Sequence, residues 1–201
     1  MKIPLNRKDA PVKQKKNQVS QGKQIKGPMM NIILIGYRCS GKTSVGKRLA
    51  QKLGWLFVDT DDRLVEKDGR SIKEIVEGNG WEGFRRLENE VIQEVCAQDN
   101  TVIATGGGAI LDPANADVIQ KSGEVVWLKV SPQTVKQRMA RDEGTDTLRP
   151  ALTSRGLYEE IIDVLKERNP IYGQTMDIAV DTDDKGIEEI VGQIIKKFFK
   201  I

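Results

Sequence analysis

The chain has 201 residues, of which 38% are hydrophobic, 5% aromatic and 30% charged, with a formal net charge of +3. This length suits one compact domain, and the complete lack of histidine excludes histidine-based catalytic triads and histidine metal ligands. The two cysteines have no framework spacing and no long apolar run is present, which indicates a reducing compartment and no transmembrane helix.

The positive charge is concentrated at the N-terminus. Residues 1–29 carry eight basic side chains and one acidic side chain, a net +7, so the rest of the chain sums to −4. This segment has few apolar residues and cannot bury enough surface to offset the entropy of ordering it. We therefore predict a disordered basic tail at 1–29 and a folded domain at 30–201. A solvated extension is the preferred interpretation of the tail, and a nucleic-acid-binding arm is the alternative.

Apolar strands alternate with helical patterns after residue 30. The predicted strands are NIILIG, WLFVDT, TVIATGGG, EVVWLKV and DIAVDT. Helices are predicted at 43–53, at a short segment capped by Ser71 and Glu74, at 81–98, after Asp112-Pro113, after Ser131-Pro132, at 157–169 and from Ile187. Such alternation predicts an α/β fold of three layers, α-β-α, with a five-stranded parallel sheet. The polar, arginine-bearing segment at about 141–155 is predicted to form a mobile lid.

The segment GYRCSGKTS lies between the first predicted strand and the first helix. Gly36, Gly41, Lys42 and Thr43 fit the phosphate-loop pattern G-x-x-x-x-G-K-S/T in that context. Backbone N–H groups and the helix N-terminus bind anions there, Lys42 would reach the β- and γ-phosphates, and the Thr43 hydroxyl would ligate Mg²⁺. The expected nucleotide-binding residues of this loop are Gly36, Ser40, Gly41, Lys42, Thr43 and Ser44.

Phosphate loops occur in GTPases, in ATP-driven machines and in small-molecule kinases. The Asn-Lys-x-Asp guanine signature is absent from the sequence, and the chain is short for an ATPase motor. These observations favour a compact phosphotransferase of the P-loop kinase type.

Two carboxylates and three glycines follow the next strands. Asp59 and Asp61 are two residues apart at the end of the second strand, so in an extended strand both would face the crevice above the sheet, where ligands bind. One would serve Mg²⁺ and the other an acceptor hydroxyl; a solvated acidic cluster is the alternative. The triplet 106–108 lets a ligand lie against bare backbone, with a flexible turn as the alternative.

Arginines complete the candidate site. Arg85, Arg86 and Arg168 lie on predicted helices, while Arg141 and Arg149 lie in the predicted lid. A guanidinium from the lid would stabilise charge on the transferring phosphoryl group.

Together these segments resemble one family. GYRCSGKTSVGKRLA, FVDTDD, FRRLE, TGGGAI, LRPAL and RNPIY, in this order and spacing, resemble the shikimate kinases over residues 31–201. The resemblance implies a nucleoside-monophosphate-kinase-like sheet. It also implies ATP-dependent, Mg²⁺-assisted phosphorylation of the 3-hydroxyl of shikimate in aromatic amino acid biosynthesis.

The resemblance also assigns roles by position. Asp61 would hold the acceptor hydroxyl, Asp59 and Thr43 the Mg²⁺, Arg85 and Arg168 the shikimate carboxylate, Gly106, Gly107 and Gly108 the ring hydroxyls, Arg149 the phosphates, and Arg141 the adenine. Lys42, Asp61 and Arg149 form the expected catalytic set. Shikimate and ATP are the expected partners of a monomeric cytoplasmic enzyme, with neither membrane nor nucleic acid.

The phosphate loop departs from the family at two positions. Family members commonly have glycine where this chain has Cys39, and a hydrophobic residue where it has Arg38. Cys39 fits only if the backbone angles there are not glycine-specific, and Arg38 is expected to face solvent. Another small-metabolite kinase such as a gluconate kinase, and a nucleotide-binding regulator without transfer activity, are the alternative functions.

Overall fold

The computed structural model describes residues 30–141 and 156–199. The predicted tail at 1–29, most of the predicted lid, and Arg149 lie outside the described residues. The strands are β1 (Asn31–Ile35), β2 (Leu56–Asp59), β3 (Thr101–Ala104), β4 (Gly123–Lys129) and β5 (Ile178–Asp181). The helices are α1 (Lys42–Leu53), α2 (Thr60–Asp68), α3 (Ile72–Cys96), α4 (Pro113–Ser122), α5 (Pro132–Met139), α6 (Leu157–Thr175) and α7 (Ile187–Phe199), with a short 3-10 turn at Ala109–Leu111.

The sheet has five strands in the order β2-β3-β1-β4-β5, and every pairing is parallel. Side chains alternate across the central strand β1: Ile33 and Ile35 join the core under α3 and α4, whereas Ile32 and Leu34 join the core under α1 and α7. The predicted three-layer α-β-α fold is therefore confirmed. Because β3 and β4 lie on opposite sides of β1, the carboxyl end of β1 is the switch point where ligands of such sheets bind.

Local capping signals give the starts of three helices correctly. Ser71 and Glu74 form the predicted capping box of α3, and Asp112 and Ser131 cap α4 and α5 ahead of their prolines. The predicted short helix and long helix are the two parts of α3, separated by Gly80 with φ 68° and ψ 175°.

Two helix boundaries differ from the prediction. Helix α2 begins at Thr60, immediately after β2, where the sequence suggested that the strand continued. Helix α6 continues to Thr175, past the predicted end at Asn169 and through Pro170. The last turn of α6 is retained because it buries Tyr172 and Thr175, and that packing outweighs the hydrogen bond lost at the proline.

Candidate active site

Residues 36–41 form the loop that joins β1 to α1. Gly36 has φ 142°, and a Cβ there would lie 2.6 Å from the Leu128 carbonyl oxygen, so only glycine fits. Gly41 has φ 94° and precedes the first residue of α1. The Lys42 ammonium donates hydrogen bonds to the carbonyl oxygens of Gly36 and Tyr37, each over 2.9 Å. The loop thus curls around the lysine, with Lys42 at the N-terminus of α1.

The side-chain oxygens of Thr43 and Asp59 contact each other beside this loop. The Thr43 hydroxyl donates to Asp59 Oδ2 over 2.8 Å, and Asp59 Oδ1 accepts from the Asp61 N–H over 3.1 Å. Within residues 30–141 and 156–199 there is no cluster of three or more potential metal-binding side chains. Mg²⁺ commonly takes one or two carboxylates and completes its shell with phosphate and water, so this pair fits it.

Asp59 and Asp61 reach the crevice by a different geometry from the predicted one. The prediction that they share a face of an extended strand is wrong, because Asp59 is the N-cap of α2 and Asp61 lies in its first turn. Both side chains nevertheless line the cavity that contains Lys42 and Thr43. Asp61 also lines a second cavity, so it lies where the two cavities meet.

The glycine triplet forms one wall of this second cavity. A Cβ on Gly106 would lie 2.9 Å from Asp61 Oδ1, and one on Gly108 would lie 2.7 Å from Arg85 Nη2. The Gly107 carbonyl oxygen accepts hydrogen bonds from the Tyr172 hydroxyl and, over 3.2 Å, from Arg168 Nη1. A side chain at Gly106 or at Gly108 would therefore displace a charged group beside the cavity.

Positive charge lies beside the glycine triplet on the wall of this cavity. Arg85 forms an ion pair with Glu88 and lies 5.2 Å from the ring centre of Phe84 and 5.9 Å from that of Trp81. Glu88 is 3% exposed; burial raises the pKa of its carboxyl, and the neighbouring Arg85 guanidinium opposes that rise. Arg85 and Arg168 can together receive an anion, with Glu88 orienting Arg85.

Arg86 and Arg141 lie at the surface of the protein. Arg86 is exposed and pairs with Glu82 over 2.7 Å, so it points away from the cavity. Arg141 is exposed and lies on neither cavity wall, and its role near adenine stays a prediction.

The expectation that Arg38 faces solvent is wrong. Its side chain is 11% exposed and pairs over 2.9 Å with Glu160 of α6, which is 2% exposed. Its Nε also donates to the Tyr37 hydroxyl over 3.1 Å. The buried Glu160 compensates the guanidinium charge, which is why Arg38 remains inside.

Cys39 occupies the backbone conformation that glycine adopts most easily. Its φ is 59°, in the left-handed region, and its side chain is half-buried. The left-handed region is uncommon for a residue with a Cβ but is not restricted to glycine, so cysteine fits at this position at a conformational cost.

Sequence reasoning missed three residues that hold the site. Glu88 follows Arg85 by three residues on a helix, a spacing that predicts side-chain pairing. Tyr172 is the last residue of the RNPIY segment, which gave it no role. Arg138 of α5 donates to the Cys39 carbonyl oxygen, 99 residues away, so no local pattern reveals it.

A phosphate loop and an anion-receiving cavity that meet at one carboxylate define a P-loop kinase of small molecules. The shikimate kinase family model matches residues 38–199. The chain belongs to the shikimate kinase family, which phosphorylates shikimate with ATP.

Known relatives agree with this assignment. The chain is 43% identical over 169 residues to a shikimate kinase of Symbiobacterium thermophilum, an alignment that covers 84% of this chain and 95% of the relative. It is 40% identical over 176 residues to one of Syntrophus aciditrophicus, covering 84% and 90%. Among solved structures, shikimate kinase from Acinetobacter baumannii in complex with shikimate superposes with a TM-score of 0.80 at 32% identity, covering 86% of this chain and 94% of that one.

None of the helices in the described part of the chain combines the length and the apolar composition that a bilayer crossing requires.

Proposed function

We propose that the protein transfers the γ-phosphoryl group of ATP to the 3-hydroxyl of shikimate. The observation that carries this proposal is the position of Asp61 on the walls of both cavities. One cavity contains the phosphate loop, and the other contains two guanidinium groups and bare glycine backbone. A carboxylate at their junction lies where the acceptor oxygen and the terminal phosphate would meet.

The nucleotide side follows from the phosphate loop. Gly36, Ser40, Gly41, Lys42, Thr43 and Ser44 would surround the phosphates, with backbone N–H groups and the N-terminus of α1 directed at them. Lys42 would exchange its present carbonyl partners for phosphate oxygens. Arg149 is proposed to clamp the transferring phosphoryl group and Arg141 to lie beside the adenine.

The acceptor side follows from the charge of shikimate, a carboxylate that also carries hydroxyls. Arg85 and Arg168 would bind the carboxylate, and the backbone of 106–108 would contact the ring hydroxyls. Asp61 would accept a hydrogen bond from the reacting 3-hydroxyl and take its proton as the new P–O bond forms.

Positioning and charge stabilisation dominate phosphoryl transfer, because its transition state is loose. Mg²⁺, held by the Thr43 hydroxyl and, directly or through water, by Asp59, would neutralise phosphate charge. The chain's own contribution is to aim the acceptor hydroxyl from Asp61 along the line to the γ-phosphate. Exclusion of water from the acceptor cavity would favour shikimate over hydrolysis.

We further propose a monomeric enzyme that acts in the cytoplasm. Both cysteines are free, as expected in a reducing compartment. The place of the reaction in aromatic amino acid biosynthesis follows from the family.

The test is ADP release from ATP and Mg²⁺ with shikimate, with gluconate and with no acceptor. Release that depends on shikimate supports the proposal, whereas equal release with gluconate or without acceptor contradicts it. Arg85→Met should raise the KM for shikimate by about tenfold or more, since a charged hydrogen bond is lost. Its matched control is Arg86→Met, which removes the adjacent, exposed guanidinium and should leave that KM unchanged.

A further inference from the structure

A buried hydroxyl connects the segment of the two carboxylates to the glycine triplet. Thr60 lies between Asp59 and Asp61 as the first residue of α2, and it is 2% exposed. Its Oγ1 accepts a hydrogen bond from the N–H of Gly106 over 2.9 Å, 46 residues later in the chain. Thr60 lies on the wall of neither cavity, so its hydroxyl can act on the site only through the groups that it holds.

This hydrogen bond continues the sheet where the backbone ladder stops. The pairing of β2 with β3 ends at the last residue of each strand, because α2 begins directly after β2. The N–H of Thr105 donates to the Leu34 carbonyl oxygen of β1, so the next N–H along the extended chain, that of Gly106, points to the side of β2. That N–H is buried and needs an acceptor, which the Thr60 hydroxyl supplies.

The position of Gly106 in turn limits the position of Asp61. A Cβ on Gly106 would lie 2.9 Å from Asp61 Oδ1 and 3.0 Å from Glu88 Oε1. The backbone of Gly106 therefore lies directly beside both carboxylates and cannot move to that side without displacing them. Loss of the Thr60 hydroxyl would leave a buried N–H unpaired, and the carboxylate oxygens beside Gly106 are acceptors to which it could turn.

We propose that Thr60 is a positioning residue for the phosphoryl transfer, which acts through Gly106 on the carboxylate of Asp61. Its hydroxyl satisfies the Gly106 N–H and so keeps this donor away from the carboxylate that is to take a proton from the substrate. A backbone donor on Asp61 would make the carboxylate a weaker proton acceptor and turn it from the acceptor hydroxyl. The inference rests on the proposed function insofar as Asp61 acts on that hydroxyl.

A purely structural role of Thr60 is the alternative, and it makes a different prediction. If Thr60 acts through Asp61, removal of its hydroxyl matters only while residue 61 can accept a proton. If Thr60 merely supports the fold, the loss of activity is the same with aspartate or asparagine at position 61. A double-mutant cycle on kcat separates the two.

The experiment measures kcat at saturating shikimate and MgATP for the natural full-length chain, Thr60→Val, Asp61→Asn and the double variant. Valine keeps the branched shape of threonine but removes the hydroxyl, and we expect it to lower kcat by about tenfold, the effect of one unpaired buried donor. In the Asp61→Asn background the same substitution should change kcat by less than about twofold. Thr60→Ser retains the hydroxyl and should keep most of the natural rate.

Two controls separate this effect from a general loss of stability. Thr101→Val removes a buried threonine hydroxyl at the opposite end of β3, where it donates to the Asp99 carbonyl oxygen over 3.2 Å, and should leave kcat unchanged. The Kd for MgATP, measured by calorimetry without shikimate, should stay within about twofold in every variant, since Thr60 is not assigned to the nucleotide.

Three results would overturn the inference: an equal loss for Thr60→Val in the aspartate and asparagine backgrounds, no loss in the aspartate background, or a matching loss of affinity for MgATP. If thermal melting shows Thr60→Val to be unfolded, Thr60→Ser and Thr60→Ala enter the cycle as a pair with and without the hydroxyl. A natural chain without shikimate-dependent ADP release would contradict the proposed function itself, whereas any of the three results in an active natural chain contradicts the inference alone.

Discussion

The hydroxyl of Tyr172 donates a hydrogen bond to the carbonyl oxygen of Gly107, 65 residues earlier in the chain. Tyr172 is 1% exposed and stacks on Trp127 with ring centres 5.8 Å apart, so its position is fixed by the core. Arg168, one turn earlier on α6, donates to the same carbonyl. Helix α6 therefore holds the glycine triplet in place, and Tyr172 would keep one of these bonds if Arg168 turned to bind an anion as proposed.

Removal of this hydroxyl should weaken acceptor binding selectively. We expect Tyr172→Phe to raise the KM for shikimate by about three- to tenfold, the value of one hydrogen bond, with the KM for ATP nearly unchanged. Steady-state kinetics with each substrate varied in turn measures both constants. Tyr158→Phe, at the start of the same helix and away from the cavity, is the control. A rise in both KM values would mean that the hydroxyl supports the whole fold instead.

Asp61 is expected to act on the reacting hydroxyl. Asp61→Asn keeps the side-chain shape but removes the proton acceptor, so kcat should fall by about a hundredfold or more. The Kd for MgATP, measured by calorimetry, should stay within about twofold because Asp61 is not assigned to the nucleotide. Equal losses in turnover and nucleotide affinity would contradict its role as the residue that orients the acceptor.

Thr43 and Asp59 are expected to carry the metal requirement. Removal of Mg²⁺ by a chelator should abolish turnover, and Thr43→Val should raise the Mg²⁺ concentration needed for half-maximal activity by about tenfold, because one oxygen ligand is lost. Thr43→Ser retains the hydroxyl and is the matched control. The assignment fails if valine and serine at this position give the same Mg²⁺ dependence.

Glu88 should make the stability of the protein depend on pH. Burial raises its pKa above the ordinary value of 4.5, so in the range just above pH 4.5 the folded state binds more protons at this site than the unfolded state. Its contribution to the free energy of unfolding is thus present below pH 4.5 and is lost as pH rises through the raised pKa.

Urea unfolding at several pH values from about 4 to about 7 measures this effect. The stability of Glu88→Gln relative to the natural chain should increase with pH over that range, whatever its absolute value, because glutamine does not titrate. Glu90→Gln, at an exposed position of the same helix, is the control. A difference that moves in the opposite direction would show that attraction by Arg85 outweighs burial.

Sequence motifs predict those parts of the site that a single short segment forms. The phosphate loop is such a part, because Gly36, Gly41, Lys42 and Thr43 lie between a strand and a helix that the hydrophobic pattern also indicates. The sequence identifies Asp59 and Asp61 as a pair but predicts the wrong geometry. The same residues suit both the end of a strand and the capped start of a helix. The cap depends on a hydrogen bond that the Asp59 carboxylate accepts from the backbone N–H of Asp61.

Contacts between distant segments could not be predicted from patterns. Arg38 was expected in solvent because its buried partner, Glu160, lies 122 residues later. The continuation of α6 through Pro170 depends on tertiary packing that local propensity does not contain. The family resemblance supplied the acceptor and the roles of the arginines, which the residues alone left open.

The most direct test of the central claim is the identity of the product. Shikimate, ATP and Mg²⁺ are incubated with the protein, and the product is examined by phosphorus and proton NMR. We expect one phosphomonoester whose phosphorus couples to the proton on carbon 3 of the shikimate ring, formed in equal amount to ADP. ADP formed without a phosphorylated shikimate, or phosphorus coupled to another ring position, would contradict it.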